Sequence, residues 1–234
     1  MLLGAHLSVD STIDRTIQRA EKMGLEAVSI FSASPTSHKR QSHKHFSPLN
    51  TSLDVTVHAP YTINPASSEK KESAVKILTT EIKTAERLKA NRLVIHAGSA
   101  TDCTPDEAFG NLIETLNALP QGIHVAVENN ARKGREICAT LESLSELLRY
   151  AGKHVGVCID TCHAYDAGID ITLTEEFIER LEFTIGLERL QILHINGSLK
   201  MFGSRKDRHA NIRDDDNKIP AASLKGNAGS AGTY

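Results

Sequence analysis

The chain has no excess of positive charge. Its 27 Lys and Arg stand against 29 Asp and Glu, a formal net charge of −2. Overall charge therefore cannot hold a nucleic acid, and any such contact must come from local basic patches and bound cations. There is no disulfide framework either. The four cysteines, Cys103, Cys138, Cys158 and Cys162, form no C-x-x-C pair, which points to reduced thiols and an intracellular chain, cytoplasmic or, in a eukaryote or virus, nuclear. The start, M-L-L-G-A-H-L-S-V-D, has no basic n-region and does not read as a signal peptide. No stretch approaches the roughly 20 apolar residues of a membrane span. A monomer without a membrane partner is the expectation, and the 234 residues suit a single α/β barrel domain.

What the sequence does have is a recurrence. Val155 to Ala164 reads V-G-V-C-I-D-T-C-H-A, a short apolar run like a buried parallel strand. It ends in Asp160, with His163 in the loop beyond. A buried carboxylate without a partner is expensive, and carboxylate with imidazole suits a divalent metal. Four other runs have the same form: D-V-T-V-H ending at His58, R-L-V-I-H at His96, H-V-A-V-E at Glu128 and L-Q-I-L-H at His194. Successive ends lie 38 (58 to 96), 32 (96 to 128), 32 (128 to 160) and 34 (160 to 194) residues apart. One strand with its crossover helix needs about 30 residues. A metal-type residue thus ends five successive βα units, and in a closed parallel barrel those ends converge on the face that carries active sites. Any one of these histidines alone is more readily a core or rim residue than a ligand. Five in register, all His, Asp or Glu, are not a product of core packing.

Taken in order, Leu2 to Ser8 reads as strand one, ending near His6. Thr12 to Met23 reads as a helix stopped by Gly24, and Ala27 to Phe31 as strand two. His38 to His45, H-K-R-Q-S-H-K-H, is a basic loop. Ser67 to Ala90 is the longest helical pattern, with Val75, Leu78, Ile82, Ala85 and Leu88 on one face. Pro105 to Leu119 follows a Thr104 N-cap. Arg132 to Arg135, R-K-G-R, is a second basic loop, Leu141 to Tyr150 a helix, and Thr174 to Ile185 another with Thr174 as N-cap. Cys158 lies two residues before Asp160, so it points the same way one layer deeper and reads as core filling. Asp207 and His209, within M-F-G-S-R-K-D-R-H, are two apart and in an extended loop would face one ion together. An eighth strand end is due near residue 228, where the sequence is K-G-N-A-G-S-A-G-T-Y. The expectation is therefore a TIM-type (β/α)8 barrel over 1–212 lacking its last βα unit, with about seven strands, and an irregular polar tail over 213–234. Strands one and seven would be open edges, so marginal stability or a partner filling the gap is expected.

G-V-C-I-D-T-C-H-A at 156–164 and F-G-S-R-K-D-R-H at 202–209, with G-A-H-L-S at 4–8, H-A-G-S at 96–99 and A-V-E-N at 126–129 in the same order, resemble the endonuclease IV family of apurinic/apyrimidinic-site DNA repair enzymes. The resemblance runs over roughly residues 2–212. It implies a barrel carrying three zinc ions: His58 and His96 on the first, Glu128 bridging first and second, Asp160 and His194 on the second, and His163, Asp207 and His209 on the third. It further implies hydrolysis of the phosphodiester 5′ to an abasic site in double-stranded DNA, leaving a 3′-hydroxyl, with Glu128, Asp160 and His194 as the catalytic centre. Tyr61 matches an aromatic that the family places against DNA. Lys39 and Arg40 lie near, without aligning with, the family's duplex-wedging Arg, and Arg205 and Arg208 belong to a third basic loop suited to phosphates. Two departures stand out. The family's ninth ligand, a Glu ending strand eight, has no counterpart, since Asp214, Asp215 and Asp216 fall too early. Gly197 stands where the family often has Asp.

Two rival readings differ in class. One is a metal-dependent sugar isomerase of similar barrel fold. The other is a truncated homologue that binds DNA or metal without turnover. The extra D-R-H element argues against the isomerase. A metal count separates them: about three zincs per chain support the nuclease, whereas one or two manganese or magnesium ions would support the isomerase.

Overall fold

Strand alternation sorts the barrel into an outer and an inner face. The computed structural model describes residues 2–9, 11–32, 34, 36 and 47–223. Seven parallel strands pair in sequence order: β1 (Gly4–His6), β2 (Ala27–Phe31), β3 (Asp54–His58), β4 (Arg92–His96), β5 (His124–Glu128), β6 (Val155–Asp160) and β7 (Leu190–His194). Their odd and even positions face opposite ways. Val55, Val57, Leu93, Ile95, Val125, Val127, Val155, Val157 and Ile159 turn outward into the main hydrophobic core. Val94, Ala126 and Cys158, with Ile192 against them, form a second small cluster. Each of these four lies two residues before the end of its strand, so they make an apolar floor directly under the strand-end donors.

The outer layer holds the sheet from behind. Helices α1 (Ile13–Lys22), α2 (Lys71–Arg87), α3 (Pro105–Asn117), α4 (Leu141–Tyr150), α5 (Thr161–Ala167) and α6 (Thr174–Thr184) follow their strands. On α2 the apolar face is Ala74, Leu78, Ile82 and Ala85, all buried, while Val75 is only half-buried. Thr104 and Glu107 form a capping box at α3, each satisfying the other's backbone N–H. For α6 the N-cap is Leu173 rather than Thr174, whose hydroxyl instead donates to the Ser223 carbonyl. Within the 213–223 stretch, Ile219 is fully buried in the main core, and Asn217 Oδ1 accepts from the N–H of Ser198 at 3.0 Å. Among the described residues no helix is long and apolar enough to cross a membrane, and all four cysteines are free.

Among the described residues no strand joins β1 to β7, consistent with a barrel lacking one βα unit. All five residues of β7 are only half-buried, whereas β6 is buried throughout. A cleft of about 1720 Å³ runs from the strand-end face down between β1, β7 and α6. The basic loop at 38–45, with Lys39 and Arg40, and the expected eighth strand end near 228 lie outside the described residues.

At the β6–β7 seam the register shifts between Val157 and Cys158. A Cβ on Gly156 would come within 2.5 Å of Gln191 Nε2 and 2.7 Å of the Arg189 carbonyl oxygen. Gly156 therefore lets β7 approach β6, and the Asp160–His194 register depends on that approach. Gly156→Ala is expected to cost about 1–3 kcal/mol through overpacking, measured by urea unfolding, and to weaken metal retention. Unchanged stability and metal content would show that the close approach is not required.

Candidate metal centre

Glu128, at the end of β5 and 2 % exposed, sits among imidazoles on both sides. Its Oε2 is 3.1 Å from His58 Nε2 and 3.3 Å from His96 Nε2. Its Oε1 is 2.8 Å from His194 Nδ1. Burial alone would raise this carboxyl, but His194 and His96 outweigh it and hold the group well below the usual carboxylate range. For His96, burial is the larger effect and lowers the imidazole to about 4 despite Glu128.

A second group forms around α5. Asp160 Oδ1 accepts from the backbone N–H of His163 at 3.0 Å and so caps this seven-residue helix. His163 therefore stands on a helix, not in a loop: the carboxylate that ends the strand also starts the helix. His163 Nε2 is 3.2 Å from Asp207 Oδ1 and 3.3 Å from His209 Nε2, and His209 Nε2 is 3.4 Å from Asp207 Oδ1. Asp207 reaches this point from a left-handed backbone, φ 53°, rather than from an extended loop. His209 lies on β9 (His209–Ala210), which pairs antiparallel with β8 (Gly197–Ser198). Burial opposes the charge on His163, but Asp160, then the bond to Asp207 and the charge of Glu128, push the imidazole up to about 10. His194 is likewise raised, with Cys158 and Glu128 overcoming burial.

Backbone carbonyls set the tautomers. His58 Nδ1 lies 2.8 Å from the Ala59 oxygen, and His163 Nδ1 lies 2.9 Å from the Asn129 oxygen. A carbonyl only accepts, so each Nδ1 carries the proton and each Nε2 is directed into the site, an arrangement common behind metal-binding imidazoles. Asn129 also accepts from the Asp160 N–H at 2.6 Å, and Asn196 donates to Asp160 Oδ2 at 2.6 Å.

All eight residues singled out in the sequence lie on one face, in two groups that meet at Glu128 and Asp160. The grouping has its own pattern. His194 shares a possible ion-binding space with His58 and Glu128, and Asp160 shares one with His163 and His209. Tyr61 is half-exposed at the rim, its ring 5.9 Å from His58 and 5.5 Å from His96. Arg208 lines the cleft; Arg205 is exposed and does not. Cys158 lies beneath, its thiol pushed up to about 12 by burial, as suits a core filler. Three further residues contribute beyond those eight. His6, ending β1, packs on Phe31 and His58, and the strand-end pattern itself could have included it. Asn129 and Asn196 act through backbone and carboxylate contacts that have no spacing signature.

Residues 17–225 match the family described as xylose isomerase-like TIM barrel. A probable endonuclease 4 from Mesomycoplasma hyopneumoniae strain 7448 is 38 % identical over 79 % of this chain and 68 % of its own. One from Pediococcus pentosaceus is 31 % identical over 91 % of this chain and 78 % of its own. The crystal structure of endonuclease IV from Thermus thermophilus superposes with a TM-score of 0.80 at 27 % identity, covering 97 % of this chain and 87 % of that one. With the parallel barrel and its convergent strand ends, these likenesses show that the chain belongs to the endonuclease IV family.

Proposed function

We propose that the chain is a zinc-dependent DNA repair endonuclease that hydrolyses the phosphodiester 5′ to an abasic site and leaves a 3′-hydroxyl. The observation that carries the metal reading is the spacing of donors. His163 Nε2, Asp207 Oδ1 and His209 Nε2 form a triangle with sides of 3.2, 3.3 and 3.4 Å. Ligands about 2.0–2.1 Å from a tetrahedral zinc lie roughly 3.3 Å apart. Both imidazoles turn Nε2 into this triangle, and a single ion there would replace the His163–His209 hydrogen bond that the metal-free site can make. The N and O donors also suit zinc, with the proton-bearing nitrogens turned away.

In this reading His58, His96 and Glu128 hold one ion, Glu128, Asp160 and His194 a second, and His163, Asp207 and His209 a third. When bound, the ions supply Lewis acidity, which favours a deprotonated water and neutralises charge on a phosphate. The residues do the rest. Glu128 turns its two oxygens toward different imidazoles and fixes the spacing between the halves of the site. Asn196 and the His163 N–H each hold one Asp160 oxygen and keep the carboxylate from rotating, while Asn129 fixes the Asp160 backbone. Water adds to phosphorus, the bond to O3′ breaks, and the departing oxygen takes a proton to become the 3′-hydroxyl. An abasic nucleotide turns out of the stack at least cost, because no base pair holds it. Tyr61 at the rim and the basic residues Lys133 and Arg208 in the cleft contact the DNA, giving an affinity that falls with salt. The third donor group disfavours the isomerase reading.

The test is cleavage of a labelled duplex carrying one abasic-site analogue, with metals counted in the same preparation. Incision 5′ to the site is expected, and Glu128→Ala should lose it by about 10³-fold or more as the shared carboxylate is removed. Full activity in that variant would sink the shared-carboxylate mechanism, and an intact protein that binds DNA without cutting would leave a binding homologue. The pH dependence provides a second check. In the metal-free protein His163 keeps its proton up to about pH 10, and His194 also holds one well above the ordinary range. Ligation needs neutral imidazole, so binding releases protons, and zinc affinity should rise with pH between about 6.5 and 8.5, by up to about tenfold per unit for each proton displaced. Calorimetry in buffers of different ionisation heat would show the release; a pH-independent affinity would contradict it.

A further inference from the structure

We propose that Asp166 is a positioning residue for the His163–Asp207–His209 group, an inference that rests on the metal reading of that group. Asp166 lies on α5 three residues after His163, on the same helix face. It is completely buried and forms no ion pair with Lys, Arg or His among the described residues. Its carboxylate instead grips the loop that delivers the other two donors. Oδ2 accepts from the Asp207 N–H at 2.9 Å, and Oδ1 accepts from Ser198 Oγ at 2.8 Å. Its backbone carbonyl accepts from the Arg205 N–H at 2.9 Å, and the neighbouring Tyr165 carbonyl accepts from the Gly203 N–H at 3.0 Å.

These bonds fall where the loop most needs holding. Arg205 and Asp207 both adopt left-handed backbone, φ 57° and 53°, a region unfavourable for residues with a Cβ. Asp166 bonds the N–H of both. Ser198 is equally buried and is the β8 residue paired with His209. One carboxylate thus ties the Asp207 turn and the strand opposite His209 to the helix that carries His163. Removing it takes the acceptor from the Asp207 N–H, leaves Ser198 Oγ only the Lys200 carbonyl, and frees the loop to relax to ordinary dihedrals, which would carry Asp207 away from His163. Asparagine can keep the arrangement: its oxygen accepts from Asp207 N–H, and its amide donates to Ser198 Oγ, a hydroxyl that also accepts.

The experiment compares wild type, Asp166→Ala and Asp166→Asn by zinc titration against a competing chelator. Amide exchange at Asp207 is followed in the metal-free proteins. Asp166→Ala is expected to lose zinc at this one group by about 10–100-fold, to keep the zincs centred on Glu128, and to exchange the Asp207 amide faster. Asp166→Asn should stay within a few-fold of wild type on both readouts. Wild-type zinc affinity and a protected Asp207 amide in Asp166→Ala would overturn the proposal and leave the metal reading intact. A wild-type protein that takes no ion at this group would overturn both. Should Asp166→Ala fail to fold, Ser198→Ala removes one donor only, and a smaller loss in the same direction is expected; no change there would count against the proposal.

Discussion

A buried carboxylate shared by three imidazoles organises this molecule. Glu128 is withdrawn from water at the centre of the strand-end face, with His58 and His96 on one oxygen and His194 on the other. An anion in such a place is tolerated only with positive charge or strong donors around it. The barrel satisfies that condition through its own regularity. Adjacent parallel strands place a residue from each at the same height, and the paired ends His96–Glu128 and Asp160–His194 are direct register partners. The floor of Val94, Ala126, Cys158 and Ile192 offers these ends no charged partner from below. Polar partners are thus confined to one side, where a ligand can reach them.

Much of this is legible in the sequence because it depends on periodicity. The limits of β2 to β7, and the Thr104 cap, follow from apolar runs and turn residues that report directly on burial. The strand-end donors are legible for the same reason, since residues at the end of a parallel strand have a fixed direction. Features that depend on non-periodic contacts are hidden. Helix α5 is seven residues long, shorter than two full turns, and its start coincides with the D-x-x-H motif, so a helix cap resembles a loop. The left-handed Asp207 has no glycine to announce it; the turn is imposed by Asp166 from another element. His6 escapes for a different reason. It obeys the strand-end rule, but its strand is only three residues long, and it lies outside the counted interval that defines the series.

Two supports of unlike kind hold the two halves of the site. The half around Glu128 is built from strand ends and inherits the rigidity of the sheet. The half around His163 is built from a short helix and a two-residue ribbon, β8 with β9, and has no ladder of comparable length. It relies on individual hydrogen bonds: Asp160 to the His163 N–H, Asn129 to the ring, and Asp166 to the loop. Loss of one such bond should therefore be felt locally in the second half, whereas the first half responds mainly to changes in strand register such as that at Gly156.

The open side of the sheet bears unequally on these halves. The donors of the Glu128 group lie on β3, β4, β5 and β7, and every neighbouring pair from β3 to β7 is hydrogen-bonded. Among the described residues, His194 alone of these donors belongs to a strand with one hydrogen-bonded neighbour. Its strand is half-buried along its whole length, and its Nε2 is a buried nitrogen with no hydrogen-bond partner among the described residues. The His163 group stands on α5, β8 and β9, outside the sheet, and its anchors do not include β1 or the outer edge of β7. Whatever the gap costs is therefore concentrated at His194 and at the oxygen of Glu128 that faces it, while His58, His96 and the three donors around α5 keep their geometry from elements the gap does not touch.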